Sequence, residues 1–236
     1  MDWDGKPHLA DFLEELCKLD FHWIRLHYLY PEWIDDRLID VIAREDKILK
    51  YLDIPLQHCN DKILKKMNRR GDKKYLCALL DKLRERIPGL VLRTSIIAGL
   101  PGEGEEEFDE LCDFLREQKL LRAGVFPYSP EEGTRAAKME RVDSDEAARR
   151  AERIVDIQSE IIDAWNDERQ GDVMEVLCEG FDGQSMLFVG RSYAESPDID
   201  GRIYFSAPRD VAAGEFVPVR ITGAMDGELT GELAEE

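Results

Sequence analysis

No run of eighteen apolar residues occurs anywhere in the 236-residue chain. Its amino end, MDWDGKPHLADF, has neither the positive start nor the apolar stretch of a secretory signal. A cytosolic protein with no membrane partner is therefore expected. Basic side chains are scarce as well. Thirty-two Lys and Arg against fifty-one Asp and Glu give a formal charge of -19, which repels a nucleic-acid backbone over most of the surface and makes a basic protein the better partner. Cysteines are few and scattered. Cys17, Cys59, Cys77, Cys112 and Cys178 are odd in number and never spaced C-x-x-C, which excludes a disulfide framework and a zinc site and leaves reduced, mostly buried thiols.

What is present is ample apolar content, 43%, enough for one large domain or for a medium domain and a small one. The hydrophobic period alternates along the first half. Leu9 to Cys17 reads as a helix, HWIRLHYLYP as a strand closed by Pro31, and Trp33 to Leu49 as a helix again. A strand over Tyr51 to Leu56 follows, then helices from Asp61 to Met67 and from Lys73 to Ile87. LVLRTSIIAGL reads as a strand, Glu105 to Gln118 as a helix with an acidic first turn, and AGVFPYS as a fourth strand. Strands alternating with helices predict a parallel sheet of the TIM-barrel kind, whose chemistry sits at the carboxyl ends of its strands. The polar tip Gln57, His58, Cys59, Asn60 and Asp61 occupies such an end.

Alternation within the strands sorts side chains onto two faces. One carries Arg25, His27, Asp53, Gln57, Arg93 and Ser95; the other carries Ile24, Leu26, Tyr28, Leu52, Ile54, Leu56, Leu92, Thr94 and Ile96. The charged face is the candidate lumen, since isolated buried charge is too costly to leave without a partner. Its Arg and Asp residues either bind a charged ligand or form a purely structural network, and both readings stay open. The turn Gly99-Leu100-Pro101-Gly102 lets backbone amides approach a flat ligand, or is simply an ordinary strand-to-helix turn. The cluster Lys62, Lys65, Lys66, Arg69, Arg70, Lys73 and Lys74 reads first as a solvated helix face.

A boundary follows Arg141. Asp143 and Glu146 are placed like a capping box at the head of a helix, along which Ile154, Ile157, Ile161 and Trp165 share one side. The expected division is residues 1–142, a connecting helix over 143–167, and a small all-β domain over 168–236. In the last, VMEVLC, MLFVG, RIYFSA, FVPVRITG and GELTGEL are separated by glycine turns such as Asp182-Gly183 and Asp226-Gly227, which suggests a five-stranded barrel of OB-like size. From Glu168 onward there are fifteen acidic residues, five arginines and no lysine, 5 - 15 = -10. Direct nucleic-acid binding by this domain is not expected. The loop RSYAESPDIDG, with Glu195, Asp198 and Asp200, suits a Lys/Arg-rich protein surface, or merely keeps the domain in solution.

Taken in order, WIRLHYLYP, YLDIPLQHCND with KKMNRRG, LRTSIIAGLPGE, FPYSPEEGT and GRSYAESPDIDG resemble the ribosomal-protein methylthiotransferases of the RimO type, from about Asp4 to Leu233. These are radical S-adenosylmethionine enzymes with a carboxyl-terminal TRAM domain. The resemblance implies an α/β fold, a partial TIM-like radical SAM (β/α) barrel followed by a small all-β TRAM barrel. It implies methylthiolation of the β-carbon of an aspartate in small-subunit ribosomal protein twelve, held by the acidic TRAM domain. TRNA methylthiotransferases are the competing branch, but IPLQH and the acidic SPDIDG loop favour the protein-modifying one. By position, Gln57 and Arg93 are expected to line the S-adenosylmethionine pocket, with the backbone of Ile97 and Gly99 near the adenine.

Full-length members of that family use two four-iron four-sulfur clusters. One is held by a C-x-x-x-C-x-x-C motif on the first barrel strand, the other by three cysteines in an amino-terminal domain. Neither set occurs in this chain, and DWDGKPHLADFLEEL resembles the segment just after the second barrel strand. An amino-terminally truncated chain, inactive alone, is the resulting expectation. A non-catalytic module that binds the ribosomal protein is the alternative.

Overall fold

The computed structural model describes Gly5 and residues 7–234; the outermost ends of the expected domains, and the amino end of the family resemblance at Asp4, lie outside the described residues. The chain divides into two compact units between Gln158 and Ser159, inside the long helix α6 (Ser144–Glu168).

The first unit is an open sheet of four parallel strands in the order β1 (Ile24–Leu26), β2 (Ile48–Asp53), β3 (Val91–Ala98) and β4 (Arg122–Pro127). Helices α1 (Leu9–Cys17), α2 (Asp36–Arg44), α3 (Asp61–Lys66), α4 (Lys73–Arg86) and α5 (Glu105–Gln118) fall before and between them. Ile48, Leu52, Leu92 and Ile96 are buried, as are Leu76, Leu80 and Leu83 of α4 and Phe108, Leu111 and Phe114 of α5. These are the apolar positions set by the two periods, 2 for strands and 3.6 for helices. Caps fix the helix starts. Asp35, Asn60 and Asp72 each accept a backbone N–H from the first turn of α2, α3 and α4.

Four sequence expectations are corrected here. The strand HWIRLHYLYP shrinks to Ile24–Leu26, because Tyr28 adopts a left-handed backbone (φ 59°) that an extended chain cannot continue through. The helix expected over Trp33 to Leu49 is α2 alone, preceded by a 3-10 turn at Pro31–Trp33 and followed by β2, which takes up Ile48 and Leu49. The strand expected over Tyr51 to Leu56 runs from Ile48 to Asp53 instead, ending before Pro55, which has no N–H to give a ladder. At the head of α6, Asp143 does cap, accepting the N–H groups of Asp145 and Glu146 at 3.0 and 3.3 Å. Glu146 does not close the box, because its carboxylate binds Arg149 and Arg150.

The second unit is a closed five-stranded barrel in the order β5 (Val173–Asp182), β6 (Leu187–Arg191), β7 (Ile203–Ser206), β9 (Glu228–Leu233) and β8 (Phe216–Met225). Only β7 and β9 pair in parallel. Val176, Ile203, Phe205, Val217, Val219 and Ile221 fill the interior, with Trp165 of α6 packed against them. Closure brings backbones very near. A Cβ at Gly190 would lie 2.5 Å from the Leu177 carbonyl oxygen, and one at Gly231 2.5 Å from that of Arg220, so only glycine fits.

Candidate functional site

The register of β2 and β3 pairs Asp53 with Arg93, and their side chains meet, Nη1 donating to Oδ1 at 2.9 Å. Both are buried, Asp53 at 1% and Arg93 at 8% exposure. His27 Nδ1 approaches the other Asp53 oxygen at 3.7 Å, and the Arg25 guanidinium lies 4.3 Å above the ring of Tyr51. Of the residues assigned to the lumen by alternation, Asp53, Arg93 and His27 thus meet in one network, with Arg25 stacked on Tyr51. Gly124 of β4 leaves room for it: a Cβ there would sit 3.3 Å from Arg93 Nη2.

Gln57 departs from the alternation. Between the Asp53–Arg93 pair and the Gln57–Ile96 bridge, β2 advances four residues (57 - 53) and β3 three (96 - 93). One extra residue interrupts the ladder, and Gln57 itself is left-handed (φ 70°). Its backbone nevertheless stays bound to β3, accepting from Ile97 N–H at 2.9 Å and donating to the Ser95 carbonyl at 2.8 Å. Gln57 and Ile97 are therefore adjacent at the carboxyl end of the sheet, both half-buried. The remainder of the polar tip serves the fold. His58 and Cys59 are fully buried, Asn60 caps α3, and Asp61 accepts the N–H of Lys73 at 2.8 Å.

Gly99 is held by residues that the sequence does not single out. Its N–H donates to Glu103 Oε1 at 2.9 Å, and the same oxygen accepts from Arg150 Nη1 at 2.9 Å. Glu103 Oε2 faces His58 Nε2 at 3.3 Å. His58 Nδ1 accepts the Asn60 N–H, so the neutral ring carries its proton on Nε2, toward that carboxylate. Gly99 is left-handed (φ 80°), and a Cβ there would collide with Ala147. The glycine turn is thus fixed from beneath, and the Gly99 N–H is already engaged. The four-residue spacing of Gly99 and Glu103 was a weak local signal for this. Arg150, forty-seven residues beyond Glu103, had none.

Burial raises the Glu103 pKa, but the His58 ring, the Gly99 amide and Arg150 together outweigh it and hold the carboxyl below its ordinary value of 4.5. A carboxyl depressed in the folded state contributes stability that is fully present above its unfolded value and disappears as pH falls through the folded one. Glu107 behaves alike, lowered to about 2 by Lys62 and the Gly104 amide. Thermal stability is therefore expected to fall between pH 4.5 and about 2, and Glu103→Gln to flatten that fall. Equal slopes for the two proteins in melts across that interval would refute the assignment.

The TRAM-like unit offers a second surface. Glu195 is buried at 1% exposure, where Oε2 accepts both the N–H of Ser192 at 2.9 Å and its hydroxyl at 2.6 Å. Asp200 Oδ2 accepts the Ser196 N–H at 2.9 Å and remains half-exposed, while Asp198 is exposed. Of the three carboxylates expected to meet a basic partner, Glu195 shapes the loop from inside, and Asp198 and Asp200 form its outer edge.

Residues 4–115 match the Radical SAM superfamily model, and residues 171–234 match that of the TRAM domain. A "Ribosomal protein uS12 methylthiotransferase RimO" from Symbiobacterium thermophilum is 46% identical over 239 residues, covering 100% of this chain and 49% of that protein. The chain belongs to the RimO-type, TRAM-bearing branch of the radical SAM superfamily. The protein of the same name from Acetivibrio thermocellus is 42% identical over 237 residues, covering 100% of this chain and 52% of its own. The chain therefore spans about half the length of these relatives. Among solved structures, "Coproporphyrinogen III oxidase (HemN) from Escherichia coli" superposes with a TM-score of 0.53 at 21% identity, over 64% of this chain and 37% of that one, a likeness of fold.

Membership of this superfamily implies S-adenosylmethionine and a four-iron four-sulfur cluster. The described residues do not fit the cluster. Among them no three His, Cys, Asp or Glu side chains form a metal-binding group, and burial raises the pKa of all five thiols, disfavouring the thiolates that iron requires. Gln57 and the Ile97 backbone, two of the positions expected to meet S-adenosylmethionine, lie side by side at the end of the sheet. Among the described residues, no helix is long and apolar enough to cross a membrane.

Proposed function

We propose that this chain is the carboxyl half of a cytoplasmic methylthiotransferase that modifies the β-carbon of an aspartate in small-subunit ribosomal protein twelve. The observation that carries the reading is 46% identity along the entire chain, through both the radical SAM segment and the TRAM domain, to a protein named for methylthiolating uS12. In this reading Gln57, Arg93 and the Ile97 backbone border S-adenosylmethionine, and Gly99 shapes the turn beside it. The bound cofactor supplies the deoxyadenosyl radical, and two clusters serve the complete enzyme. The chain's own task is to position the cofactor and keep water from the radical. Asp198 and Asp200 hold the basic ribosomal protein, and the -10 charge from Glu168 onward draws it in. The functional parts of the chain in this reading are residues 1–142, a connecting helix over 143–167, and the barrel domain over 168–236.

Two measurements test the reading. The chain alone, reconstituted anaerobically with iron and sulfide, is expected to show no stoichiometric cluster absorbance and to form no deoxyadenosine. Fused behind the amino half of the Symbiobacterium relative, it is expected to add one methylthio group to recombinant uS12, read by mass spectrometry of the aspartate peptide. Asp198→Arg should weaken uS12 capture by that fusion several-fold. Modification of tRNA in place of uS12 would assign the chain to the competing branch.

A further inference from the structure

One segment opposes the charge of everything else. Residues 61–74 hold seven Lys and Arg against Asp61 and Asp72, a local charge of 7 - 2 = +5, so the rest of the chain stands at -19 - 5 = -24. Some of these cations are engaged: Lys62 binds Glu107 at 2.6 Å, Lys73 binds Glu110 at 3.1 Å, and Arg69 covers the ring of Tyr30 at 5.3 Å. Lys65, Lys66, Arg70 and Lys74 are exposed and have no ion pair among the described residues. Lys62, Lys65 and Lys66 share one side of α3 by their spacing. Lys62 and Lys66 also line a cleft of 510 Å³ together with Arg141, Glu107 and Glu140.

Aromatic rings lie next to these cations. Tyr75, in the first turn of α4, donates its hydroxyl to the Pro31 carbonyl at 2.9 Å, tying the basic segment to the loop after β1. In that loop Tyr28 is 69% exposed, Tyr30 50% and Trp33 39%. Together with His8 and Leu29 they border a cavity of 210 Å³. Apolar rings left in water beside unpaired cations need an occupant that supplies both flat faces and negative charge.

We infer that residues 61–74 and the Tyr28–Trp33 loop form a binding surface for single-stranded RNA. Lys65, Lys66, Arg70 and Lys74 take backbone phosphates, while bases stack on Tyr28 and Trp33. An acidic peptide would satisfy the cations and leave the rings unused. An anionic membrane would bring an extended plane of negative charge against the -24 of the remaining chain. A single strand is a narrow line of charge that can follow the patch alone, and at about 0.1 M salt the Debye length of about 10 Å screens the acidic remainder. The inference goes beyond the proposed reaction and does not depend on it.

The test is fluorescence anisotropy of a labelled oligouridylate of about twelve nucleotides, titrated with the full chain. Micromolar binding is expected, with a log-log salt slope of about -3 if four phosphates are neutralised. Lys65→Glu/Lys66→Glu/Arg70→Glu/Lys74→Glu should weaken it by at least about tenfold. Tyr28→Ala/Trp33→Ala should weaken it several-fold at an unchanged salt slope, because stacking releases no counterions. Circular dichroism melts of both variants establish that they fold. No anisotropy change, binding indifferent to the charge reversals, or displacement by polyglutamate as readily as by unlabelled RNA would overturn the assignment. Capture of uS12 by the same variants is measured alongside, so the substrate proposal stands or falls separately.

Discussion

Arg93→Ala is expected to destabilise the first unit by about 3–5 kcal/mol, because it strands a carboxylate that has almost no access to water. Asp53 is 1% exposed, and the guanidinium of Arg93 is its 2.9 Å partner across the β2–β3 ladder. His27, at 3.7 Å and half-buried, is too distant to replace it. Urea unfolding of Arg93→Ala, Asp53→Asn and the double variant forms a cycle. The double variant should cost less than the sum of the singles by about 1–3 kcal/mol, since the second substitution removes the group that the first left stranded. Replacing the pair by Leu and Met together should approach neutrality, as buried ion pairs exchanged for apolar residues of similar volume often do. A loss below about 1 kcal/mol for Arg93→Ala alone would show that the pair does not hold the face together. A ligand contact from Arg93 must in any case share the guanidinium with Asp53.

Arg150→Ala is the second large effect, again about 3–5 kcal/mol, or a fall in melting temperature on the order of 10 °C. Arg150 is 5% exposed and joins Glu103, Glu105 and Glu146 at 2.9, 2.7 and 3.0 Å, with its guanidinium 5.1 Å from the Phe108 ring centre. Without it, Glu103 keeps only the Gly99 amide and the nearby His58 ring, so its pKa rises and the loss of stability on acidification begins at higher pH. Arg150→Lys should recover little, because one ammonium cannot reproduce a planar fork directed at three carboxylates. Full rescue by lysine would mean that charge alone matters here.

How far the sequence carried this reading depended on whether the signal was local. Hydrophobic period, with the acidic first turn of α5, placed α1 and α5 at their observed bounds, and alternation with glycine turns located all five barrel strands, because each depends on neighbours within a few residues. Alternation also brought Asp53 and Arg93 to one face. It failed where the backbone changed hand: no composition rule marks Tyr28 or Gln57 as left-handed, and each disrupts an otherwise regular strand pattern. The support beneath Gly99 was out of reach for a different reason. His58, Glu103 and Arg150 come from three separate stretches, and only the folded chain shows that they converge. Likewise the loop carboxylates looked equivalent in RSYAESPDIDG, yet two short bonds to Ser192 draw Glu195 inside and leave Asp198 in solvent.

The closure of the second unit sets how its amides exchange with solvent deuterium. Every strand from β5 to β9 has a partner on both sides, so no outer strand can peel away by itself, and exchange at Val176, Phe205 or Val219 requires the barrel to open as a whole. In the first unit β1 and β4 terminate an open sheet, and their amides can exchange through fraying that leaves β2 and β3 paired. Deuterium uptake should accordingly be graded across the four-stranded sheet and nearly uniform around the barrel.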